Sequence, residues 1–146
     1  MLVTSAFAII AAVSFMAPAA RGDCPQVIKA AVGRLYPGAT NQTCKQEMQG
    51  GKSIYEVNLT TKAGEKVELD MAPDGTVIQV EEQVSLDTVP SAVLKAFKGK
   101  YPGAKVSGAE KQTKADGKVF FEIAFVAGGA KKEATFATDG AFVEEE

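Results

Sequence analysis

The sequence Tyr-Pro-Gly-Ala occurs twice in this chain, at residues 36–39 and again at residues 101–104, which are 65 positions apart. Other short segments recur at nearly the same distance: 24–25, 55–57 and 74–75 match 89–90, 121–123 and 139–140. Repetition at a fixed period indicates that one structural unit is used twice. Because a unit of about 65 residues buries only about 60% of its unfolded surface, each copy alone would be marginally stable. We therefore expect the copies to share a core edge, a sheet, or both.

The composition is that of a folded chain, and it excludes several classes of function. Of the 146 residues, 46% are hydrophobic, and 16 basic against 18 acidic side chains give a net charge of −2. These values fit a packed globule rather than a disordered segment. No basic excess points to nucleic acid as a partner. Histidine is absent, so the most frequent general base and metal ligand is missing.

The first 20 residues differ from the rest of the chain. Residues 1–20 carry no charged side chain, contain an apolar run at 6–15, and place Ala17 and Ala19 as in an A-x-A cleavage site. This arrangement is typical of a secretory signal peptide. We expect cleavage near Ala19 to Gly22 and a periplasmic or secreted mature chain that does not contact the membrane. An uncleaved anchor is the alternative, although the run is shorter than the about 20 residues that a membrane span needs.

Each copy begins with the pattern of a helix. Pro25 and Pro90 suit the first helical position, where the missing N–H costs nothing. Apolar residues then recur at helical spacing, and Pro37 and Pro102 end the pattern. The predicted apolar stripes are Ile28, Ala31, Val32 and Leu35 in the first copy and Val89, Val93, Ala96, Phe97 and Tyr101 in the second.

After each helix the hydrophobic period changes to two, which is typical of strands with one buried and one wetted face. The alternation covers residues 55–59, 66–71, 120–127 and 133–136. Asp-Gly and Gly-Gly pairs separate these segments and suit tight hairpins, and such short loops join antiparallel neighbours. Residues 79–88 join the copies without a Pro/Gly/Ser-rich run, which indicates a tight junction.

These patterns together predict the fold class and the domain organisation. The expected fold is α+β, with two tandem repeats that each consist of a helix followed by a four-stranded antiparallel meander. The helices are expected on one face of the sheet or sheets. After the signal peptide at 1–20, the first repeat is expected at residues 24–83 and the second at 84–146.

The recurring residues resemble the PepSY-like family of small exported bacterial proteins, which is also described as β-lactamase-inhibitor-like. The resemblance is carried by residues 89–90, 96–97, 101–104, 121–123 and 139–140, and it covers nearly all of the mature chain. It implies a helix-plus-antiparallel-sheet repeat similar to the fold of β-lactamase inhibitor protein. The related PepSY domain occurs in propeptides of thermolysin-type metallopeptidases, which it is thought to restrain. The family offers no catalytic residues to transfer to this chain.

Cys24 and Cys44 are the only cysteines, and such a pair in an oxidising compartment is typical of a disulfide. A helix over residues 25–35 rises about 16 Å, and a strand over residues 39–44 returns a similar length, so Cys44 would end near Cys24. Alternation along this strand is irregular, which indicates a bulge. Two free thiols and a metal pair are the alternatives. A zinc site needs about four ligands, and the sequence has no histidine or third cysteine to complete one.

Alternation also places a set of polar side chains on the sheet face opposite the helices. Paired carboxylates there could perform acid–base hydrolysis or bind calcium. The simpler interpretation is a solvated face on which lysines and acids form cross-strand charge pairs. The lysines in question are Lys52, Lys66, Lys118 and Lys131. The candidate partner-binding residues are Glu56, Asn58, Glu68, Asp70, Glu122, Glu133 and Thr135.

The sequence offers no catalytic constellation. Ser53 and Ser91 have no histidine to activate them, and no cofactor or metal motif is present. We predict a non-enzymatic exported protein that binds a protein or peptide in the cell envelope through the open sheet face, with inhibition or regulation of an envelope or secreted enzyme as one use. The alternatives are a sensor of a small ligand or cation on the acidic sheet face and a structural envelope component. Residues 144–146 are interpreted as an acidic tail that discourages edge pairing.

Overall fold

The structure of the protein, a computed structural model, describes residues 21–146, and the predicted signal peptide lies outside them. The helices are α1 (Gln26–Leu35) and α2 (Ser91–Lys100), with a 3-10 turn at Leu86–Thr88 before α2. The strands are β1 (Arg21–Gly22), β2 (Thr40–Gln49), β3 (Lys52–Thr60), β4 (Lys66–Met71), β5 (Val77–Val84), β6 (Lys105–Lys114), β7 (Val119–Ala127), β8 (Ala130–Ala137) and β9 (Phe142–Glu145). Neither helix of this part of the chain is long and apolar enough to cross a membrane.

The strands form one antiparallel sheet, in which each strand pairs with the next one along the chain. The fold is therefore α+β, with an open antiparallel sheet and two helices. The order follows from the turns, because most of them are only a few residues long and a short loop can only return the chain antiparallel. The two-residue strand β1 was not expected from the sequence. Its residues Arg21 and Gly22 lie opposite Lys45 and Cys44 of β2.

The segment at residues 79–88 is not a plain junction between two halves. Its first part belongs to β5, which pairs with β4 on one side and with β6 on the other. Gln79 lies opposite Lys114, and Val84 lies opposite Ala109. Backbone pairing therefore continues from the first half of the chain into the second, and the halves share one sheet.

The hydrophobic core consists of two clusters on the same side of the sheet. Helix α1 packs on β3 and β4, and α2 packs on β6, β7 and β8. Strand β5 contributes to both clusters, since Val80 packs against the first and Val84 against the second. Residues directly opposite across antiparallel strands point to the same side. From Gln79 to Glu82, β5 keeps regular register with both β4 and β6. The largest fully buried side chains are Phe125, Phe136, Ile28, Leu69, Met71, Ile123, Val32, Val57 and Val93.

The end of α1 departs from the predicted apolar stripe at Leu35, which is 52% exposed. The helix ends at this residue, and the N–H of Tyr36 donates to the carbonyl oxygen of Val32 at 2.8 Å. Tyr36 then packs against the first cluster. The residue after the helix, and not Leu35, thus covers this end of the core.

Cys24 and Cys44 form a disulfide, as predicted, with their Cα atoms 5.1 Å apart. Both residues are buried in the first cluster and connect the start of α1 to β2. The predicted irregularity of this strand is present as a register shift between Thr40 and Thr43, where Asn41 has a φ of 54°. Such a bulge changes the alternation of side chains, which explains why the strand pattern is irregular in the sequence.

Candidate functional site

The face of the sheet turned away from the helices is open and strongly acidic. Successive side chains of a strand point to opposite sides, so Leu69 and Val80 enter the core while Glu68 and Glu81 point to the open side. The register brings side chains from β2 to β9 together around a depression of about 530 Å³. We call its lining the acidic face; it consists of Glu47, Gln49, Ile54, Glu56, Glu68, Asp70, Gln79, Glu81, Glu110, Gln112, Lys114, Glu122, Glu133, Glu144 and Glu146.

The residues that the sequence predicted for this face come together there. Asn58 and Thr135 do not line the depression but hydrogen-bond carboxylates that do. Asn58 Nδ2 donates to Glu56 Oε1 at 3.1 Å, and the buried Thr135 hydrogen-bonds Glu122. The predicted residues that line the depression itself are Glu56, Glu68, Asp70, Glu122 and Glu133.

Most of the other lining residues were not expected at this face. Gln79 and Glu81 lie on β5, within the stretch interpreted as a junction. Strand β6 contributes three further residues, but Lys111 and Thr113 occupy its helix-facing positions, so its sequence does not alternate clearly between apolar and polar residues. The alternation of polar residues with Val80 in β5 was the one sequence pattern that could have placed Gln79 and Glu81 on the open face. The lining residues missed on these two strands are Gln79, Glu81, Glu110, Gln112 and Lys114.

The last residues of the chain belong to the sheet. The expectation that they form a free acidic tail is therefore wrong. Strand β9 pairs with β8, and Glu144 lies opposite Thr135. Glu145 points to the other side, where its carboxylate accepts hydrogen bonds from Tyr101 Oη and Lys132 Nζ. Alternation along β9 thus sends Glu144 to the acidic face and Glu145 to the helix side. The tail supplies part of the candidate site.

Acidic residues on this face have other acidic residues as cross-strand neighbours. Like charges directly opposite each other destabilise a sheet by roughly 0.2–1 kcal/mol. The arrangement therefore costs free energy that a mixed pattern of charges would avoid. The opposed pairs are Glu56 with Asp70, Glu68 with Glu81, and Glu110 with Glu122.

The expectation that lysines alternate with these acids is wrong for the lining of the depression. Ten carboxylates line it together with a single lysine, Lys114. Lys118 instead pairs with Asp116 in the turn before β7, with Nζ 2.8 Å from Oδ2. The other three expected lysines do not line the depression either: Lys52, Lys66 and Lys131.

Burial and repulsion raise the proton affinity of carboxyls at the centre of the face. Burial, followed by the Glu68 carboxylate, raises the pKa of Glu81 to about 8. Burial, followed by Glu56, raises the pKa of Glu68 to about 7. Burial, followed by Glu133, raises the pKa of Glu122 to about 7. These three carboxyls therefore exchange protons near neutral pH, unlike an ordinary surface glutamate.

Two buried amides connect the polar groups of the acidic face. Lys114 Nζ donates to Gln79 Oε1, and Gln79 Nε2 donates to Glu81. Gln112 Nε2 donates to Glu122 Oε2 at 3.0 Å. Among the residues described, no buried side-chain polar atom lacks a hydrogen-bond partner. The face is thus an ordered polar surface, with its amides fixed by the neighbouring charges.

The carboxylates of the acidic face are distributed and not gathered at one point. They come from eight strands, with neighbouring strands about 4.8 Å apart. Across residues 21–146, no group of three or more acidic or cysteine side chains is arranged to hold a metal ion. The arrangement therefore suits a ligand whose positive charges are spread over a similar distance.

Solved structures with the same fold come from species of Bacteroides. A candidate periplasmic protein from Bacteroides eggerthii has a TM-score of 0.71 and 19% sequence identity, over 86% of this chain and 89% of that chain. A DUF2874 family protein from Bacteroides uniformis has a TM-score of 0.67 and 16% identity, over 84% and 88%. A BLIP-like protein from Bacteroides fragilis has a TM-score of 0.60 and 23% identity, over 91% and 88%.

At these sequence identities the likeness establishes the fold and nothing finer. None of the three proteins is named as an enzyme. No protein-family model matches the chain, and no curated protein sequence matches it. The chain therefore shares a BLIP-like α+β fold with candidate periplasmic proteins.

Proposed function

We propose that this chain is a non-enzymatic exported protein that binds a protein or peptide partner in the cell envelope through the acidic face. The observation that supports this most is a sheet covered by two helices on one side and left open on the other. Strands about 4.8 Å apart and about 17 Å long give an open face on the order of 650 Å². That area is close to the ~800 Å² per partner of a standard protein interface.

Three observations support export and this class of function. The apolar, uncharged segment at residues 1–20 is typical of a signal peptide. The disulfide between Cys24 and Cys44 is of a kind that persists in oxidising compartments. The fold is shared with candidate periplasmic proteins and with a BLIP-like protein. Together with the resemblance to PepSY-like proteins, this favours inhibition or regulation of an envelope or secreted enzyme as the use of the binding face.

We further infer that residues 24–83 and 84–146 are tandem copies of one unit. Each contains a helix, four strands and its own core cluster. The copies also share a close contact between turn and helix. A Cβ at Gly75 would lie 3.4 Å from the carbonyl oxygen of Val27, and one at Gly140 would lie 2.6 Å from that of Ala92. Both residues of the second contact follow those of the first by the same 65 positions.

Site-specific photo-crosslinking tests the proposed function. A photo-crosslinking amino acid is placed at Asn58, which is exposed on the open side of the sheet, or at Lys95, which is exposed on α2. Each mature chain is then irradiated in a native envelope extract. We expect adducts from position 58, and we expect their loss when Glu122→Lys and Glu133→Lys are combined in the same chain.

The proposal is contradicted by adducts that form equally from both positions, or by adducts that the two charge reversals do not affect. Either result means that the open face is not the binding surface. A circular dichroism melt of each variant shows that the chain is folded under the conditions of the experiment.

A further inference from the structure

The near-neutral net charge of this chain conceals a strong separation of charge. The acidic face contains ten of the 18 acidic side chains and one of the 16 basic ones. The rest of the sequence therefore has eight acidic and 15 basic side chains. The two helices carry basic residues and no acidic ones, namely Lys29, Arg34, Lys95, Lys98 and Lys100. The lining of the depression is thus negative, and the surface of both helices is positive.

The acidic face has few cations to stabilise it from within the chain, and one of them, Lys45, pairs with Glu47 on β2. Three pairs of acids face each other across strands, and Lys114 is the one lysine in the lining. Like-charged neighbours destabilise a sheet, and together with burial, the larger cause, they keep the pKa of Glu81 well above that of a free glutamate. A partner that supplies positive charge would relieve this repulsion, whereas an acidic or purely apolar partner would increase its cost.

The distribution of the carboxylates indicates how the partner's charges are arranged. From Glu47 on β2 to Glu144 on β9 the face spans seven strand intervals, or about 34 Å. An extended peptide advances about 6.7 Å for every second residue. A segment of about ten residues therefore offers about five side chains on one side over the same length, whereas a single metal ion neutralises only one point.

We propose that the acidic face binds a lysine- and arginine-rich polypeptide segment, a partner class that deepens and rests on the proposed function. The charge complementarity selects this occupant. Long basic side chains reach carboxylates on several strands at once, and each new ion pair replaces a repulsive contact with an attractive one. A basic region of an envelope or secreted enzyme has this chemistry.

A defined peptide tests the proposal. The probe is a labelled ten-residue peptide in which lysine alternates with serine, and its matched control replaces each lysine with glutamate. Fluorescence anisotropy with the mature chain should show saturable binding of the lysine peptide and none of the glutamate peptide. Raising the salt concentration from about 50 to about 300 mM should weaken binding several-fold, because exposed charge pairs are screened.

Paired variants locate the binding surface. At pH 9, where both carboxyls are ionised, Glu68→Gln with Glu81→Gln removes two charges from the acidic face and should weaken binding of the lysine peptide about tenfold. Glu65→Gln with Glu82→Gln removes the same charge outside the acidic face and should change binding less than about twofold. Glu110→Gln with Glu122→Gln repeats the test at a second opposed pair, should the first variant fold poorly.

The outcomes separate this inference from the proposed function. If the lysine peptide does not bind, or binds all variants equally, the inference is wrong. In that case, photo-crosslinking that still depends on the open face would support the proposed function, with a partner that is not a basic segment. If light scattering shows that the chain itself dimerises through the acidic face and excludes the peptide, the occupant is a second copy and the inference is again overturned.

Discussion

Glu81 shows at the scale of one residue how the fold changes the chemistry of a side chain. It is partly buried between Glu68 and the carboxylates of β6 and β7, and these surroundings raise its pKa to about 8. The folded chain therefore holds a proton that the unfolded chain releases near pH 4.5. Stability from this group is fully present below that pH and is lost as the pH rises through about 8. Glu68 and Glu122, with pKa values of about 7, act in the same direction.

Replacing Glu81 with glutamine should raise the free energy of unfolding at pH 8 by about 1 kcal/mol, a value discounted for the partial exposure of this group. At pH 5 the variant should match the parent, because the carboxyl is already protonated in the folded state. Urea unfolding at both pH values measures the difference. Glu82→Gln is the matched control, since its side chain lies on the next residue of β5 and faces the other side of the sheet. An equal gain at both pH values would contradict the assignment.

Gly140 illustrates a second constraint that acts at one residue. Its φ is +89°, in a region that residues with a Cβ rarely adopt, and an added Cβ would lie 2.6 Å from the carbonyl oxygen of Ala92 on α2. The helix backbone cannot move away without disturbing the second core cluster. The glycine thus allows both the turn and the close approach of the helix.

Gly140→Ala should therefore destabilise the protein more than Gly117→Ala. Gly117 has a φ of +82° but nothing within 4 Å of an added Cβ. Both variants incur a backbone strain of about 1 kcal/mol, because alanine disfavours a positive φ. Only Gly140→Ala adds a clash with the helix, so we expect this variant to lose about 3 kcal/mol of stability in total. Thermal unfolding of the two variants in parallel measures this. Equal losses would mean that the helix contact does not constrain the turn.

At the scale of elements, the two halves stabilise their helices differently. The first half joins α1 to β2 through the disulfide of Cys24 and Cys44. In the second half the equivalent positions hold Val89 and Ala109, which are both buried in the second core cluster. That cluster is also rich in aromatic residues: the ring of Phe97 lies edge-on to that of Phe125 with centroids 5.1 Å apart. A covalent link in one half thus corresponds to apolar packing in the other.

Removing the disulfide should cost about 3 kcal/mol, because it closes a loop of 20 residues in the unfolded chain. The double variant Cys24→Ala and Cys44→Ala should show this loss in urea unfolding. A reducing agent should lower the melting temperature of the parent protein to a similar extent and leave the variant unchanged. A parent protein whose melting temperature is insensitive to reduction would contradict a stabilising role for this bridge.

At the scale of the whole molecule, the separation of charge should make stability depend on salt. Repulsion within the acidic face is strongest when its carboxyls are ionised, and at about 0.1 M, salt screens the interaction between exposed charges that are more than about 10 Å apart. Raising the salt concentration should therefore increase the melting temperature more at pH 8 than at pH 5. Differential scanning calorimetry at both pH values measures the effect. A larger increase at pH 5 would show that repulsion on this face does not limit stability.

Several parts of this architecture could be predicted because they depend on neighbouring residues. Helical spacing around Val93, period-two alternation around Ile123 and glycine-containing turns are short-range patterns, and the repeat made each of them visible twice. The cysteine pair also followed from the lengths of one helix and one strand. The errors lie where a local pattern was weak, as in β5 and β6, or where a short strand such as β9 was interpreted as a tail.

The sequence by itself determined both helices, the antiparallel order and, for β3, β4, β7 and β8, the side of the strand on which the acids lie. Only the tertiary structure decided that ten carboxylates from eight strands surround one depression with a single lysine. The physical reason is that side-chain direction depends on adjacent residues, whereas the charge at Glu81 depends on strand register across β4, β5 and β6. That register brings together Glu68, Glu81 and Glu110, which are far apart along the chain, and it is set by backbone pairing and by the packing of the two helices on the opposite side.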